Sequence, residues 1–228
     1  ERKKLLLGFL GNNVVDKRIV EESFKPTNAA VSLTGEPMMY PKYPELIKEF
    51  FKQGFRTVFA VTSGTVPETI KKLEVWPTNI YLSVEAWNKE LYQKLCFPII
   101  SDAWERFLES AKLLKKAKTR TVMRITCMKG INMDSPEKFV FLAESMNPDV
   151  IECKAYAWMG YSRQRLKKEN TPKYCEVKKF AELLAKSTDY EVAASKTGSD
   201  IVLLRRTTHR IVNGKKFVYE GIEKEKDK

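Results

Sequence analysis

Short β-branched runs in this chain carry a regular alternation of side-chain character, and that alternation narrows the fold more than any other feature. Successive residues of a strand face opposite sides of a sheet. One set here is apolar: Val31 and Leu33, Leu82 and Val84, Ile125 and Cys127, Ile151 and Cys153. The other is polar or charged: Ser32 and Thr34, Ser83 and Glu85, Arg124 and Thr126, Glu152 and Lys154. A sheet covered by helices on both faces would read as nearly continuous hydrophobic runs. A wall packed on helices outside, with a wet cavity inside, should alternate as these runs do. A closed eight-stranded barrel fills its lumen with branched apolar side chains, so the pattern predicts a wide or incomplete barrel.

Strands are predicted at 29–33, 56–62, 79–84, 121–127, 149–154, 190–194 and 200–206. Helical periodicity fills 43–54, 68–73, 89–95, 102–115, 136–147 and 176–187. Helix-start chemistry stands at Thr65-Val-Pro-Glu, Asn88, Ser101-Asp102 and Asp134-Ser135-Pro136-Glu137. Alternating β and α elements with short connections mean a parallel sheet. Residues 1–206 form one predicted unit. In 207–228, an Asn213-Gly214 pair signals a hairpin ahead of a charged, disordered tail.

The net charge of +12 and a pI of about 9.4 favour a polyanionic partner such as RNA, DNA or an acidic lipid surface. One histidine, His209, cannot build a His-rich metal site. The cysteines at 96, 127, 153 and 175 form no C-x-x-C, so a zinc ribbon or local iron–sulfur loop is excluded. A reduced, cytoplasmic chain is expected, and no apolar run approaches the ~18 residues of a membrane span. The opening residues, ERKKLLLGF, read as a helix interior, so part of the protein is expected upstream of Glu1.

Candidate site residues gather at strand ends. Gly35 before Glu36 and Pro37 lets backbone approach a ligand, and Glu36 could accept hydrogen bonds from an ammonium group. The same residues also fit a loop with a solvated carboxylate. Thr62-Ser63-Gly64-Thr65 offers hydroxyls at the same end, or a turn with a helix cap. Ser83 and Glu85 close the third strand, and Arg124 lies on the inner parity of the fourth. Glu152 and Lys154 are opposite charges on one inner face, expensive to bury unless paired or used. They suit either an ion-pair network or catalysis. The segment Tyr156-Ala-Trp-Met-Gly-Tyr-Ser-Arg-Gln-Arg-Leu-Lys-Lys interleaves rings with cations, as unstacked bases and phosphates require. A basic, partly packed loop is the other reading.

In order along the chain, AAVSLTGEPMMYP, VTSGT, IYLSVEA, TVMRITCMKGINM and DVIECKAYAWMGYSRQRL resemble the radical S-adenosylmethionine enzymes that make wyosine-type bases, the archaeal tRNA 4-demethylwyosine synthase family. The likeness runs from about Phe9 to Arg206. It implies a partial (β/α)6 TIM-like barrel, missing its first strand and cluster loop, with a C-terminal strand and hairpin. It implies condensation of a two-carbon unit from pyruvate with N1-methylguanosine beside the anticodon of tRNA-Phe, a lyase reaction of wybutosine biosynthesis.

By the same likeness, Gly35, Glu36, Pro37, Thr62, Ser63, Ser83, Glu85 and Arg124 would bind S-adenosyl-L-methionine. Glu152 and Lys154 would be catalytic, with Lys154 positioning the keto acid as a cation beside Glu152. Tyr156, Trp158, Tyr161, Ser162, Arg163 and Arg165 would face the second substrate and the tRNA. A [4Fe-4S] cluster is implied, its C-x-x-x-C-x-x-C ligands expected upstream of Glu1, with room for a second iron–sulfur cluster. An electron donor such as a flavodoxin or ferredoxin, a monomeric state and no membrane association are further expectations. The chain departs from the pattern at Glu85, Thr34 and Ser63, where Asp, Asp and Asn are more usual. Two other classes stay open: a non-catalytic basic barrel binding RNA or a phosphorylated ligand, and a radical-SAM enzyme with another substrate.

Overall fold

The computed structural model describes residues 2–32, 35–212 and 215–216. Five strands come first: β1 (Asn28–Val31), β2 (Thr57–Thr62), β3 (Asn79–Val84), β4 (Arg120–Cys127) and β5 (Val150–Ala155). They pair in parallel in that same order. Right-handed crossovers in a monotonic order all place their helices on one face of the sheet. A doubly wound sheet would instead reverse its order at the middle. The topology is therefore that of a barrel wall, as the strand parity predicts, and the doubly wound alternative does not occur.

Burial follows the parity of the sequence. Val58, Ala60, Ile80, Leu82, Val84, Met123, Ile125, Cys127, Ile151 and Cys153 are almost completely buried. They pack under helices α3 (Tyr43–Lys52), α6 (Ala103–Leu114), α7 (Val140–Met146) and α8 (Tyr174–Lys186). The inner row of Phe59, Val61, Tyr81, Ser83, Arg124 and Thr126 is only half-buried, and Lys154 is exposed. One face makes the core and the other is left for function. Leu33 and Thr34, which sequence parity places on these two rows, lie outside the described residues.

Four helices complete the described set: α1 (Arg2–Leu7), α2 (Lys17–Ser23), α4 (Pro67–Lys71) and α5 (Lys89–Cys96). Asn88 caps α5, its Oδ1 accepting from Leu91 N at 2.9 Å. Thr65 does not cap α4, which starts instead at Pro67 after an uncapped Val66; proline at the first position has no N–H to satisfy. Asp102 likewise makes no cap bond and holds Arg106 at 2.9 Å instead. Among the described residues, no helix is long and apolar enough to cross a membrane.

After α8 the chain makes β6 (Tyr190–Lys196), turns at Asp200 with φ +48°, and returns as β7 (Ile201–Arg206). Strand β7 inserts antiparallel between β5 and β6, giving the order 1-2-3-4-5-7-6. Two short strands, β8 (Ile211–Val212) and β9 (Lys215–Lys216), then pair antiparallel. Asn213, Gly214 and the charged tail lie outside the described residues.

The segment after β7 is fastened beneath the barrel by one buried arginine. Arg210 is 1% exposed. Its Nε lies 3.0 Å from Asp149 Oδ1, and its Nη atoms donate to the carbonyls of Leu114, Lys115 and Thr119 at 3.2, 3.4 and 2.6 Å. The guanidinium thus meets carbonyls at the end of α6, where the helix dipole is negative.

Candidate functional site

The C-terminal ends of β1, β2 and β3 converge on a cavity of about 360 Å³, lined by Ser32, Gly35, Pro37, Thr62, Ser63, Ser83 and Glu85. Gly35 turns the chain out of β1 with φ +77°, a conformation that favours glycine. Glu36 follows, and its carboxylate accepts four hydrogen bonds. Oε1 takes Met38 N and Thr62 Oγ1, both at 2.9 Å; Oε2 takes Ser63 N at 2.6 Å and Ser63 Oγ at 2.5 Å. The carboxylate therefore locks the loop after β1 to the end of β2. Ser83 Oγ has no hydrogen-bond partner among the described residues and faces the cavity.

Gly64 closes this corner from behind, with φ +78°. An added Cβ would come 2.7 Å from Leu82 Cδ1 and 3.3 Å from Phe107 Cδ2. Gly64→Ala should therefore cost about 2 kcal/mol through overpacking and left-handed strain. Urea unfolding reads this directly, and a change below about 0.5 kcal/mol would contradict it.

Glu85 stands just past β3, half-buried. Burial pushes its carboxyl up to about 7, with hydrogen bonds from its own backbone and Thr126 opposing the rise. Cys96 Sγ lies 4.0 Å from Glu85 Oε2, and burial, then Glu85, push that thiol up to about 12. Asn132 fixes the strand ends: its Nδ2 donates to the carbonyls of Glu85 and Thr126 at 2.8 Å, and its Oδ1 accepts from Met128 N at 2.7 Å. Sequence reading missed Asn132. Its sequence signal is slight, an amide set between Ile131 and Met133.

A second cavity of about 770 Å³ adjoins the first and shares Glu85, Leu95 and Arg165 with it. Its walls are largely apolar, with Leu91, Phe97, Met128 and Ile131, and they include Tyr156 and Ser162. Tyr156 Oη and Ser162 Oγ are 2.7 Å apart. Trp158, Tyr161 and Arg163 stand elsewhere. Arg163 lies 4.9 Å over the Trp158 ring, and Tyr161 is 83% exposed. Of the predicted substrate loop, the structure brings Tyr156, Ser162 and Arg165 to a cavity and leaves the other three on the surface.

The inner wall corrects one expectation about charge pairing. Register sets Glu152 opposite Arg124 and Lys154 opposite Thr126. Arg124 Nε lies 2.6 Å from Glu152 Oε1, and its guanidinium sits 4.4 Å from the Tyr81 ring centroid. Residues two apart on a strand are separated by about 6.5 Å along it, so a cross-strand neighbour wins over Lys154. Lys154 makes no ion pair among the described residues, and it lines neither cavity.

Among the described residues no group of three or more His, Cys, Asp or Glu could hold a metal. Cys127 and Cys153 are buried on the helix-facing side, and Cys175 is on the surface. These residues do not fit an iron–sulfur cluster. The smaller cavity does fit a zwitterionic nucleoside: hydroxyls of Ser32 and Ser83, a carboxyl and a guanidinium face one space.

Comparison with known proteins gives the family and the fold. The family model described as "Radical SAM superfamily" matches residues 14–143, and that for "Wyosine base formation" matches 145–206. The S-adenosyl-L-methionine-dependent tRNA 4-demethylwyosine synthase of Pyrococcus horikoshii is 43% identical over 209 residues, 90% of this chain and 61% of that protein. Its counterpart in Methanocaldococcus jannaschii is 36% identical over 92% of this chain and 66% of its own length. A crystal structure of archaeal TYW1 superposes with a TM-score of 0.76 at 31% identity, covering 92% of this chain and 68% of that one. A structure of TYW1 with a lysine–pyruvate adduct bound gives 0.80 at 34% identity, over 90% and 65%. The chain thus spans about three-fifths to two-thirds of the length of these curated relatives.

Proposed function

The chain belongs to the radical SAM superfamily, within its wyosine-base-forming branch, and on that premise we propose that the complete protein is a cytoplasmic tRNA 4-demethylwyosine synthase. It joins a two-carbon unit from pyruvate to N1-methylguanosine in tRNA-Phe. The observation that carries this reading is the convergence of Gly35 and Pro37, Thr62 and Ser63, and Ser83 and Glu85 on one cavity at consecutive strand ends, with Glu36 bracing the loop rather than lining the cavity.

S-adenosylmethionine, when bound, supplies the radical chemistry of this superfamily. The chain's own residues bind and orient. The turn at Gly35–Pro37, braced through Glu36, and the hydroxyls of Thr62, Ser63 and Ser83 hold the cofactor, with Glu85 at its ribose end. Arg124, expected at the cofactor, is held on the inner wall by Glu152 and Tyr81 and lines neither cavity. Lys154, exposed on the inner face of β5 without an ion-pair partner among the described residues, positions the carboxylate of the keto acid. The lysine–pyruvate adduct seen in a relative supports pyruvate as that acid. The larger, apolar cavity suits a base taken out of its stack, with Tyr156 and Ser162 at its wall. Trp158, Tyr161 and Arg163 meet RNA outside it.

The intact protein, given S-adenosylmethionine, pyruvate, a reductant and a tRNA-Phe transcript bearing N1-methylguanosine, should convert that base to 4-demethylwyosine. Ser83→Phe, which fills the smaller cavity, should lower conversion about 100-fold and abolish saturable binding of S-adenosylhomocysteine. No conversion by the wild type would overturn the function. Full activity in Ser83→Phe would overturn the site.

A further inference from the structure

Arg165 stands in the wall that the two cavities share. Its Nη1 donates to the Leu95 carbonyl at 3.3 Å, and its guanidinium lies 5.0 Å from the Phe97 ring centroid. Arginine carries five N–H donors in a planar fork, and a single long bond engages little of it. Among the described residues its partners are a carbonyl and a ring, not a carboxylate. Both acids nearby are otherwise occupied: Glu36 accepts from Met38, Thr62 and Ser63, and Glu85 takes its hydrogen bonds from its own backbone, Thr126 and the Cys96 thiol. The smaller cavity therefore has in its wall a cation that makes no ion pair among the described residues.

The loop carrying Arg165 is largely closed on itself. Tyr156 bonds Ser162, Ser162 donates to the Met159 carbonyl at 2.6 Å, and Trp158 Nε1 donates to the Leu166 carbonyl at 3.0 Å. Arg165 supplies the side-chain hydrogen bond that reaches from this loop to the end of α5, which borders both cavities. Phe97, under the guanidinium, is left-handed at φ +48° and 60% exposed. The attachment is slight, so an anion at this point can decide where the loop rests.

We infer that Arg165 is a positioning residue that reads the carboxylate of the cofactor's amino-acid end and thereby sets the position of the substrate loop, residues 156–168. This rests on the reading of the smaller cavity as the S-adenosylmethionine site. A carboxylate there takes the open edge of the fork as a charge-assisted, two-bond pair. Holding the fork draws the loop onto α5 and shapes the wall of the larger cavity. By reciprocity, RNA held on the ordered loop tightens cofactor binding by the same factor.

Two ligands separate this role from a merely structural one. S-adenosylhomocysteine keeps the amino-acid end, and 5′-methylthioadenosine lacks it. In the intact protein, Arg165→Ala should weaken S-adenosylhomocysteine about 10- to 100-fold, the worth of a charge-assisted bond, and leave 5′-methylthioadenosine within about threefold. Arg165→Lys should restore part of that loss. S-adenosylhomocysteine should also slow amide exchange across 157–168 in the wild type and not in Arg165→Ala. Equal weakening of both ligands would overturn the proposal, as would unchanged exchange in the wild type. If the wild type binds neither ligand, the cofactor reading itself fails, and this inference with it.

Discussion

Replacing Arg210 with Met should cost the protein about 3–5 kcal/mol, the usual loss when one partner of a buried ion pair is removed. The substitution leaves the Asp149 carboxylate without its cation and takes a donor from the buried carbonyls of Leu114 and Thr119. Burial lowers the guanidinium pKa, and Asp149 opposes that effect; an arginine remains charged all the same. Asp149 also accepts from Thr121 N at 2.8 Å, so the disturbance passes to the start of β4. For a chain of this size the thermal midpoint should fall by about 10 °C. Arg210→Lys should recover only part, because an ammonium cannot reach acceptors spread around a planar fork. Thermal and urea unfolding check both variants. A midpoint within about 2 °C of the wild type would show that the segment after β7 is not anchored through this residue.

What the sequence reveals here is what local physics dictates. The span 79–84 was readable because its apolar residues recur every second position, and β3 occupies Asn79–Val84. Parity separated Leu82 and Val84 from Ser83, and burial separates them likewise. Helix α2 escaped notice, although Asp16 accepts from Arg18 N at 2.9 Å at its start; its seven residues carry too little apolar periodicity. Partner choice lay further out of reach. Nothing along the chain tells that Glu152 meets Arg124, because that contact follows from the β4–β5 register, not from spacing. Glu36 was legible as a carboxylate at a strand end. That it is saturated by Thr62 and Ser63 depends on β1 and β2 lying side by side. The cysteines show the same limit: Cys127 and Cys153 come together only in the folded sheet, in its core.

Glu85→Gln should flatten the pH dependence of stability between about pH 4.5 and 7. The wild-type carboxyl is raised by burial from 4.5 to about 7 in the folded protein. Across that window the folded state keeps a proton that the unfolded chain has already released. Stability must therefore fall as pH rises, in the sense opposite to that of a salt-bridged acid. The full loss is about 3 kcal/mol at most, from roughly 1.4 kcal/mol per unit, and it is complete above the folded pKa. Glutamine fills the same space and has no proton to lose, so the variant and wild type should match near pH 4.5 and diverge by pH 8, the variant being the more stable. Urea unfolding at the two pH values isolates Glu85, because every other titrating group is common to both proteins. Parallel stability curves would show that the carboxyl is solvated. The same proton bears on the site. Above pH 7 the ionised Glu85 adds a negative charge to the wall it shares with Arg165, competing with a ligand carboxylate for that guanidinium. S-adenosylhomocysteine binding should accordingly weaken between pH 6 and 8 in the wild type by a few-fold, on the order of an exposed ion pair, and lose that dependence in Glu85→Gln.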